Sequence, residues 1–312
     1  MYRSILGKTG LKVSRIGLGT AEIGFSYGLG ERPLPSEAEA INLLKCAVDL
    51  GLTFFDTANY YNLAEERLGR SGILNDPKVI VETKCAQFLE KGEYFSPIEL
   101  ETKIRAQVDD SLTKLKIKTL PILMLHGPSK SQIEQGELIE ILTKLKNEGL
   151  IRFLGVSARG EEPALATIKC GAFDVLQIAY NILDQRMATT VLPAAAKAGV
   201  GIVNRSVLLK GALTPLRAKL PPGLEPLQAQ ADKIEVVARE LGMDLPTLAI
   251  RFAISNPLIA TSLVGTNKPT NIKRAVEAAQ AGPLSQEVVS KLEKMALSDI
   301  NQIDPAKWPP LS

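Results

Sequence analysis

The stretch FFDTANYY, residues 54–61, runs from the end of an apolar segment into a polar one. Thr53, Phe54 and Phe55 are typical of a buried β-strand, and the acid Asp56 follows where that strand should end. Tyr61 comes five positions later. Because a buried acid is costly without a charged or hydrogen-bonding partner, this stretch predicts a functional group at the carboxyl end of the strand.

Seven further apolar runs alternate with amphipathic stretches along the chain. Together with the first run, the predicted strands cover residues 15–18, 53–56, 79–83, 120–125, 153–156, 175–179, 201–204 and 262–264. The predicted helices cover residues 36–50, 64–70, 97–116, 131–148, 161–169, 187–198, 226–241 and 270–279. Such alternation favours an α/β fold with a parallel sheet, because parallel neighbours need crossover connections.

Eight strand–helix units of about thirty residues each predict a closed (β/α)8 barrel, the TIM barrel. The alternative is an open, doubly wound sheet. A dinucleotide-binding sheet of that kind carries a G-x-G-x-x-G turn after a strand, and no predicted strand is followed by one. Gly28 and Gly30 come nearest to it, but they lie in a long loop before Pro33 and Pro35.

Segments outside the eight units predict additions to the barrel. Residues 4–13 predict an N-terminal β-hairpin that covers the barrel bottom, with a turn at Thr9 and Gly10. Residues 285–296 predict an extra C-terminal helix, and residues 304–312 a proline-rich tail. No linker is evident, so we expect residues 1–312 to form a single barrel domain.

Composition excludes several classes of function. There are 37 Lys and Arg against 34 Asp and Glu, a net charge of +3, without a basic run, so nothing indicates nucleic-acid binding. No apolar stretch approaches the roughly 20 residues of a membrane helix, and the N-terminus lacks the apolar core of a signal peptide. We expect a cytoplasmic protein. Cys46, Cys85 and Cys170 form no C-x-x-C pair, which argues against disulfides and a cysteine zinc site.

Three polar side chains follow predicted strands. Asp56, Lys84 and His126 each come at a strand end, where the active site of a (β/α)8 barrel is built. Taken singly, each has an ordinary explanation as a helix cap, an extended surface side chain or a core residue. His126 is the only histidine, which excludes a site with several histidine ligands, and we expect no metal.

Together with Tyr61, these residues describe a proton-transfer site. The pKa of a free tyrosine is about 10, and a nearby lysine ammonium lowers it by stabilising the phenolate. Lys84 would do this for Tyr61, and Asp56 would keep Lys84 charged. His126 would donate a hydrogen bond to a carbonyl oxygen.

These residues belong to an ordered series of motifs in which the chain resembles the aldo-keto reductase superfamily over nearly its whole length. The motifs are Asp56-Thr57-Ala58-Asn59-Tyr60-Tyr61 with Glu65 and Leu68-Gly69, Glu82-Thr83-Lys84, Leu125-His126, Gly155-Val156-Ser157, Gln177-Ile178-Ala179-Tyr180-Asn181 and Gly211-Ala212-Leu213. The resemblance implies a (β/α)8 barrel that binds NAD(P)(H) without a Rossmann fold. It also implies a catalytic tetrad of Asp56, Tyr61, Lys84 and His126, in which hydride reaches a carbonyl carbon while Tyr61 protonates the oxygen.

The resemblance assigns cofactor contacts as well. Ser157 and Gln177 would bind the nicotinamide carboxamide, and Arg205 would stack on the nicotinamide. The remaining contacts, to the pyrophosphate and the adenosine phosphate, would come from Ser206, Leu208, Gly211, Gly265, Thr266, Asn267, Lys268, Asn271 and Arg274. Ala158, Asn271 and Arg274 depart from the family pattern. Lys268 and Arg274 favour the 2′-phosphate of NADP, with NAD as the alternative.

The resemblance therefore implies an NAD(P)H-dependent oxidoreductase that interconverts an aldehyde or ketone and the alcohol, with a small-molecule carbonyl or alcohol as its partner. Two alternatives stay open: a regulatory or scaffold subunit that binds cofactor with little turnover, and an aldolase in which Lys84 forms a Schiff base. The sequence does not fix the substrate, the direction of reaction or the oligomeric state.

Overall fold

A closed barrel of eight parallel strands forms the centre of the protein. The computed structural model describes residues 2–30, 32–93 and 95–309. A hairpin, β1 (Arg3–Ile5) and β2 (Lys12–Ser14), precedes the barrel strands β3 (Ile16–Gly19), β4 (Phe54–Asp56), β5 (Ile80–Cys85), β6 (Leu120–His126), β7 (Ile151–Ser157), β8 (Val175–Ala179), β9 (Gly201–Arg205) and β10 (Thr261–Gly265). Neighbours in the barrel follow chain order, and β10 pairs with both β9 and β3. The predicted TIM barrel is confirmed, and the open sheet is excluded.

The hairpin closes the amino-terminal end of the barrel. Its strands pair antiparallel, and Leu6 between them is fully buried. A side chain at Gly201, the first residue of β9, would lie 2.7 Å from Leu6, so only glycine allows this close approach. Ser14 and Thr53 exchange two hydrogen bonds of 2.9 Å, which attach the hairpin to the start of β4. This arrangement confirms the predicted hairpin and its position.

Helices surround the barrel and complete its core. They are α1 (Glu37–Asp49), α2 (Ala64–Ser71), α3 (Pro97–Leu115), α4 (Lys130–Glu134), α5 (Glu137–Asn147), α6 (Glu161–Lys169), α7 (Val191–Lys197), α8 (Glu225–Glu240), α9 (Leu245–Ser255), α10 (Pro269–Gln280), α11 (Gln286–Glu293) and α12 (Ile300–Ile303). Ser36 caps α1 by accepting a hydrogen bond from the backbone of Glu39, and Ser285 caps the predicted extra helix α11. Within the described residues, no helix is long and apolar enough to cross a membrane.

Three helical segments differ from the prediction. The helix expected over residues 131–148 is divided into α4 and α5 at Gly136, whose φ of 87° is left-handed. Helix α7 is shorter than the predicted segment 187–198. Helix α9 was not predicted at all, because it is apolar on most of its faces and lacks the polar stripe of a surface helix. In the proline-rich tail, Trp308 is buried, and residues 310–312 lie outside the described residues.

Candidate active site

A cleft of about 720 Å³ lies at the carboxyl ends of the barrel strands. Strand-end residues line it on most sides: Gly19, Asp56, His126, Ser157, Arg205 and Gly265. Tyr61 and Gln177 also face it. Lys84 does not; its side chain is 1% exposed and lies beneath the floor of the cleft.

The turn after β4 carries Tyr61 to the floor of the cleft. Its backbone crosses the end of the neighbouring strand, where Thr57 donates to Glu82 O at 2.8 Å and Asn59 donates to Lys84 O at 3.0 Å. The Asn59 side chain donates to the Asp110 carboxylate at 2.7 Å and so attaches the turn to α3. Five residues are therefore the length needed to pass from Asp56 over β5 to the position of Tyr61. The anchoring role of Asn59 had no signal in the sequence.

Lys84 is held by Asp56 from the adjacent strand. Its ammonium donates to the Asp56 carboxylate and, at 2.9 Å, to the carbonyl oxygen of Thr57. Burial by itself lowers the pKa of Lys84, but the negative charge of Asp56 and the hydrogen bond to it outweigh burial and raise the pKa above its ordinary value. Lys84 is therefore a stable cation, and its Nζ lies 5.1 Å from the centre of the Tyr61 ring.

The environment of Tyr61 favours the phenol. Burial raises the pKa of Tyr61 to about 12, although the positive charge of Lys84 acts in the opposite direction. The sequence led us to expect that Lys84 would bring this pKa below its ordinary value. Desolvation is the larger effect, because the ring is enclosed by the barrel floor and by Phe25, whose ring centre lies 5.8 Å away.

His126 ends β6 beside Tyr61, with 6.0 Å between the two ring centres. Burial lowers the pKa of His126 well below its ordinary value, and Lys84, Arg159 and Arg205 add to the effect through their positive charges. The imidazole is therefore neutral at neutral pH. Its buried Nδ1 has no hydrogen-bond partner among the residues that the structure describes.

Ser157, at the end of β7, lies beside Gln177 in the middle of β8. The Ser157 hydroxyl donates to Gln177 Oε1 at 2.9 Å. The Gln177 amide nitrogen donates to Asp56 at 2.8 Å and to Glu82 at 2.5 Å. The two residues expected to bind a carboxamide are thus connected to the tetrad by direct hydrogen bonds.

The remaining predicted cofactor residues, with one exception, also line the cleft. They are Ser206, Leu208 and Gly211 after β9, and Gly265, Asn267, Lys268, Asn271 and Arg274 from the end of β10 to the first turns of α10. Thr266 is buried instead and does not line the cleft. Its hydroxyl accepts hydrogen bonds of 3.1 Å from the Lys268 backbone and the Asn271 side chain, so it shapes the loop.

Contacts between side chains of the loops around the cleft were not predicted from the sequence. Glu22 and Arg32 form a salt bridge of 2.5 Å within the loop after β3, and both face the cleft. The ring centre of Tyr27, from the same loop, lies 5.4 Å from Nζ of Lys210. Lys210 comes from the loop after β9. The two loops therefore meet across the cleft. No motif spacing signals such a contact, because it joins segments that are distant in the chain.

Comparison with known proteins agrees with this geometry. The model of the Aldo/keto reductase family matches residues 15–296. The chain belongs to this family. L-galactose dehydrogenase of Arabidopsis thaliana is 29% identical over 97% of this chain and 96% of its own length. D-threo-aldose 1-dehydrogenase of a Pseudomonas species is 27% identical over 86% of this chain and 90% of its own.

Among solved structures, an aldo-keto reductase from Bacillus halodurans in its holo form superposes with a TM-score of 0.80. It is 26% identical in sequence, over 96% of this chain and 97% of its own. As an aldo/keto reductase, this protein is an NAD(P)-dependent oxidoreductase that acts on carbonyl or alcohol groups. The resemblance identified from the six motifs is confirmed.

Proposed function

We propose that this aldo/keto reductase interconverts an aldehyde or ketone and its alcohol, with NADP(H) as the cofactor and Tyr61 as the proton donor. One observation carries the proposal: Tyr61 and His126, with the Lys84–Asp56 pair beneath them, face the same cleft that Lys268 and Arg274 line.

The residues of the cleft fit a nicotinamide dinucleotide. The cleft volume of about 720 Å³ is within the range of small-molecule sites. The neutral side chains of Ser157 and Gln177 suit the carboxamide, whereas Lys268 and Arg274 near the start of α10 suit phosphate groups. When bound, the reduced cofactor supplies the hydride. We favour NADP over NAD because Lys268 and Arg274 line the cleft in the segment expected to bind the adenosine phosphate.

Tyr61 is suited to donate the proton. A pKa of about 12 keeps the phenol protonated at neutral pH. When the proton leaves for the substrate oxygen, the negative charge that develops on the phenolate faces the Lys84 ammonium, 5.1 Å from the ring centre. Asp56 keeps that ammonium in place. The lysine thus acts mainly on the transition state, where the phenolate charge forms.

His126 is proposed to orient the substrate. A neutral imidazole has one N–H group, which can donate to the carbonyl oxygen without competing as an acid. The His126 ring lies beside the Tyr61 ring, which supports a carbonyl oxygen bound between the two side chains. The Schiff-base alternative has no support, because Lys84 is held as an ammonium and is a poor nucleophile.

The relatives named for L-galactose and D-threo-aldoses support aldoses as the first substrate class to test, so we propose small carbonyl or alcohol compounds of that type. Two further statements stay predictions from the sequence: that residues 1–312 form a single domain, and that the protein is located in the cytoplasm.

In the deciding experiment, the protein is titrated with NADPH and with NADH, and binding is measured by nicotinamide emission. Turnover is then assayed with aldoses and simple aldehydes as substrates. Saturable binding with turnover of one substrate would support the proposal. Tight cofactor binding without turnover across the panel would favour the regulatory alternative, and no binding by the folded protein would overturn the proposal.

A further inference from the structure

Glu82 is a carboxyl group inside the barrel to which the proposed mechanism gives no role. Its side chain is 0% exposed. Its Cα is paired with that of Asp56 across β4 and β5, so the two carboxyl groups are neighbours on the inner face of the barrel. Lys84, two residues along β5, lies on the same face.

The side chain of Glu82 shares one hydrogen-bonding partner with Asp56. Gln177 Nε2 donates to Asp56 Oδ1 at 2.8 Å and to Glu82 Oε1 at 2.5 Å. A glutamine amide has two N–H groups, and this arrangement uses both. Gln177 Oε1 points the other way and accepts from Ser157 at 2.9 Å.

The two carboxyl groups fix the orientation of the Gln177 amide. If the amide turned over, its oxygen would face the oxygens of Asp56 and Glu82, and both N–H groups would lose their acceptors. Burial and the charge of Asp56 raise the pKa of Glu82 well above its ordinary value, which favours its neutral form. Its second oxygen, Oε2, is buried without a hydrogen-bond partner among the residues that the structure describes. The Lys84–Asp56 pair is then electrically balanced, and a neutral Glu82 adds orientation without adding charge.

We propose that Glu82 is a positioning residue for the cofactor: with Asp56, it engages both N–H groups of Gln177, so that the amide offers only its oxygen to the NH₂ group of the nicotinamide carboxamide. This inference rests on the proposed function. It predicts that the site distinguishes a carboxamide from a group of the same shape without N–H donors.

The test compares two cofactors by titration calorimetry: NADP⁺ and its 3-acetylpyridine analogue, in which a methyl ketone replaces the carboxamide. The wild type should bind NADP⁺ about five- to tenfold more tightly than the analogue. This ratio of the two dissociation constants, about five to ten, corresponds to one hydrogen bond. Glu82→Gln keeps an oxygen that can accept from Gln177, and should keep this ratio. In Glu82→Met one N–H group of Gln177 loses its acceptor and Asp56 alone holds the amide nitrogen, so the turned amide becomes more populated and the ratio should fall at least about twofold.

Glu82→Val, which is smaller, has no acceptor and is well suited to a strand, serves as a second variant if the methionine variant does not fold. The inference is overturned if the wild type binds both cofactors equally, if Glu82→Gln loses the ratio, or if the methionine or valine variant retains it. Failure of the folded wild type to bind either cofactor would instead overturn the proposed function.

Discussion

Lys84 and Asp56 form an ion pair inside the barrel, with only 1% and 7% of their side chains exposed. Water cannot compensate either charge at that depth, so each group depends on the other. The same pair lies under Tyr61, where it affects the proposed chemistry. Stability and catalysis therefore depend on a common contact, and their separate contributions can be measured.

Replacement of Lys84 by methionine should lower the free energy of unfolding by about 3–5 kcal/mol, because Asp56 is left as a buried charge without its cation. Denaturation by urea measures this. Lys144→Met is the matched control; Lys144 is 57% exposed and paired with Glu101, and its loss should cost less than about 1 kcal/mol. Equal losses in the two variants would contradict the prediction.

Replacement of Tyr61 by phenylalanine should lower kcat by about 10²- to 10⁴-fold, the usual contribution of a positioned acid. The Kd for cofactor should stay within about twofold, since the ring is retained. Steady-state kinetics and fluorescence titration measure the two quantities. Tyr60→Phe is the control, because Tyr60 is 58% exposed and should leave turnover unchanged. Similar turnover in the two variants would remove Tyr61 from the mechanism.

The pH dependence should differ between the two directions of reaction. Alcohol oxidation needs the Tyr61 phenolate, and with a pKa of about 12 the phenolate fraction rises about tenfold per pH unit through the neutral and alkaline range. Carbonyl reduction needs the Tyr61 phenol, which stays protonated from about pH 7 to 10. The kcat/KM for reduction should therefore not fall over this range through ionisation of Tyr61. Profiles of kcat/KM in both directions measure this. A plateau of oxidation near pH 7 would mean that Lys84 outweighs desolvation after all.

Selectivity for NADPH should depend on Lys268 and Arg274. Replacement of either by alanine should raise the KM for NADPH about tenfold, the effect of one charge-assisted hydrogen bond, and leave the KM for NADH within about twofold. Lys273→Ala is the control; Lys273 is on the same helix but does not line the cleft. If neither variant affected NADPH more than NADH, these cations would have no role in selectivity.

The sequence predicted those features that depend on local pattern. The strand ends at Asp56, Lys84 and His126 follow from apolar runs, and a parallel barrel necessarily brings its strand ends to one face. The apolar helix α9 lacked a periodic signal, and the break at Gly136 depends on one glycine within an otherwise helical pattern. The contact between Gln177 and Glu82 joins β8 to β5, which are not neighbours in the sheet, so only the closed barrel reveals it. The pKa of Tyr61 required its burial to be known, and burial is a tertiary property.

The hairpin of β1 and β2 covers the end of the barrel away from the cleft, and two of its neighbouring side chains, Tyr2 and Ile5, are 75% and 53% exposed. This face is therefore the natural place for a surface tether. An enzyme immobilised through it would present its cleft to the bulk solution.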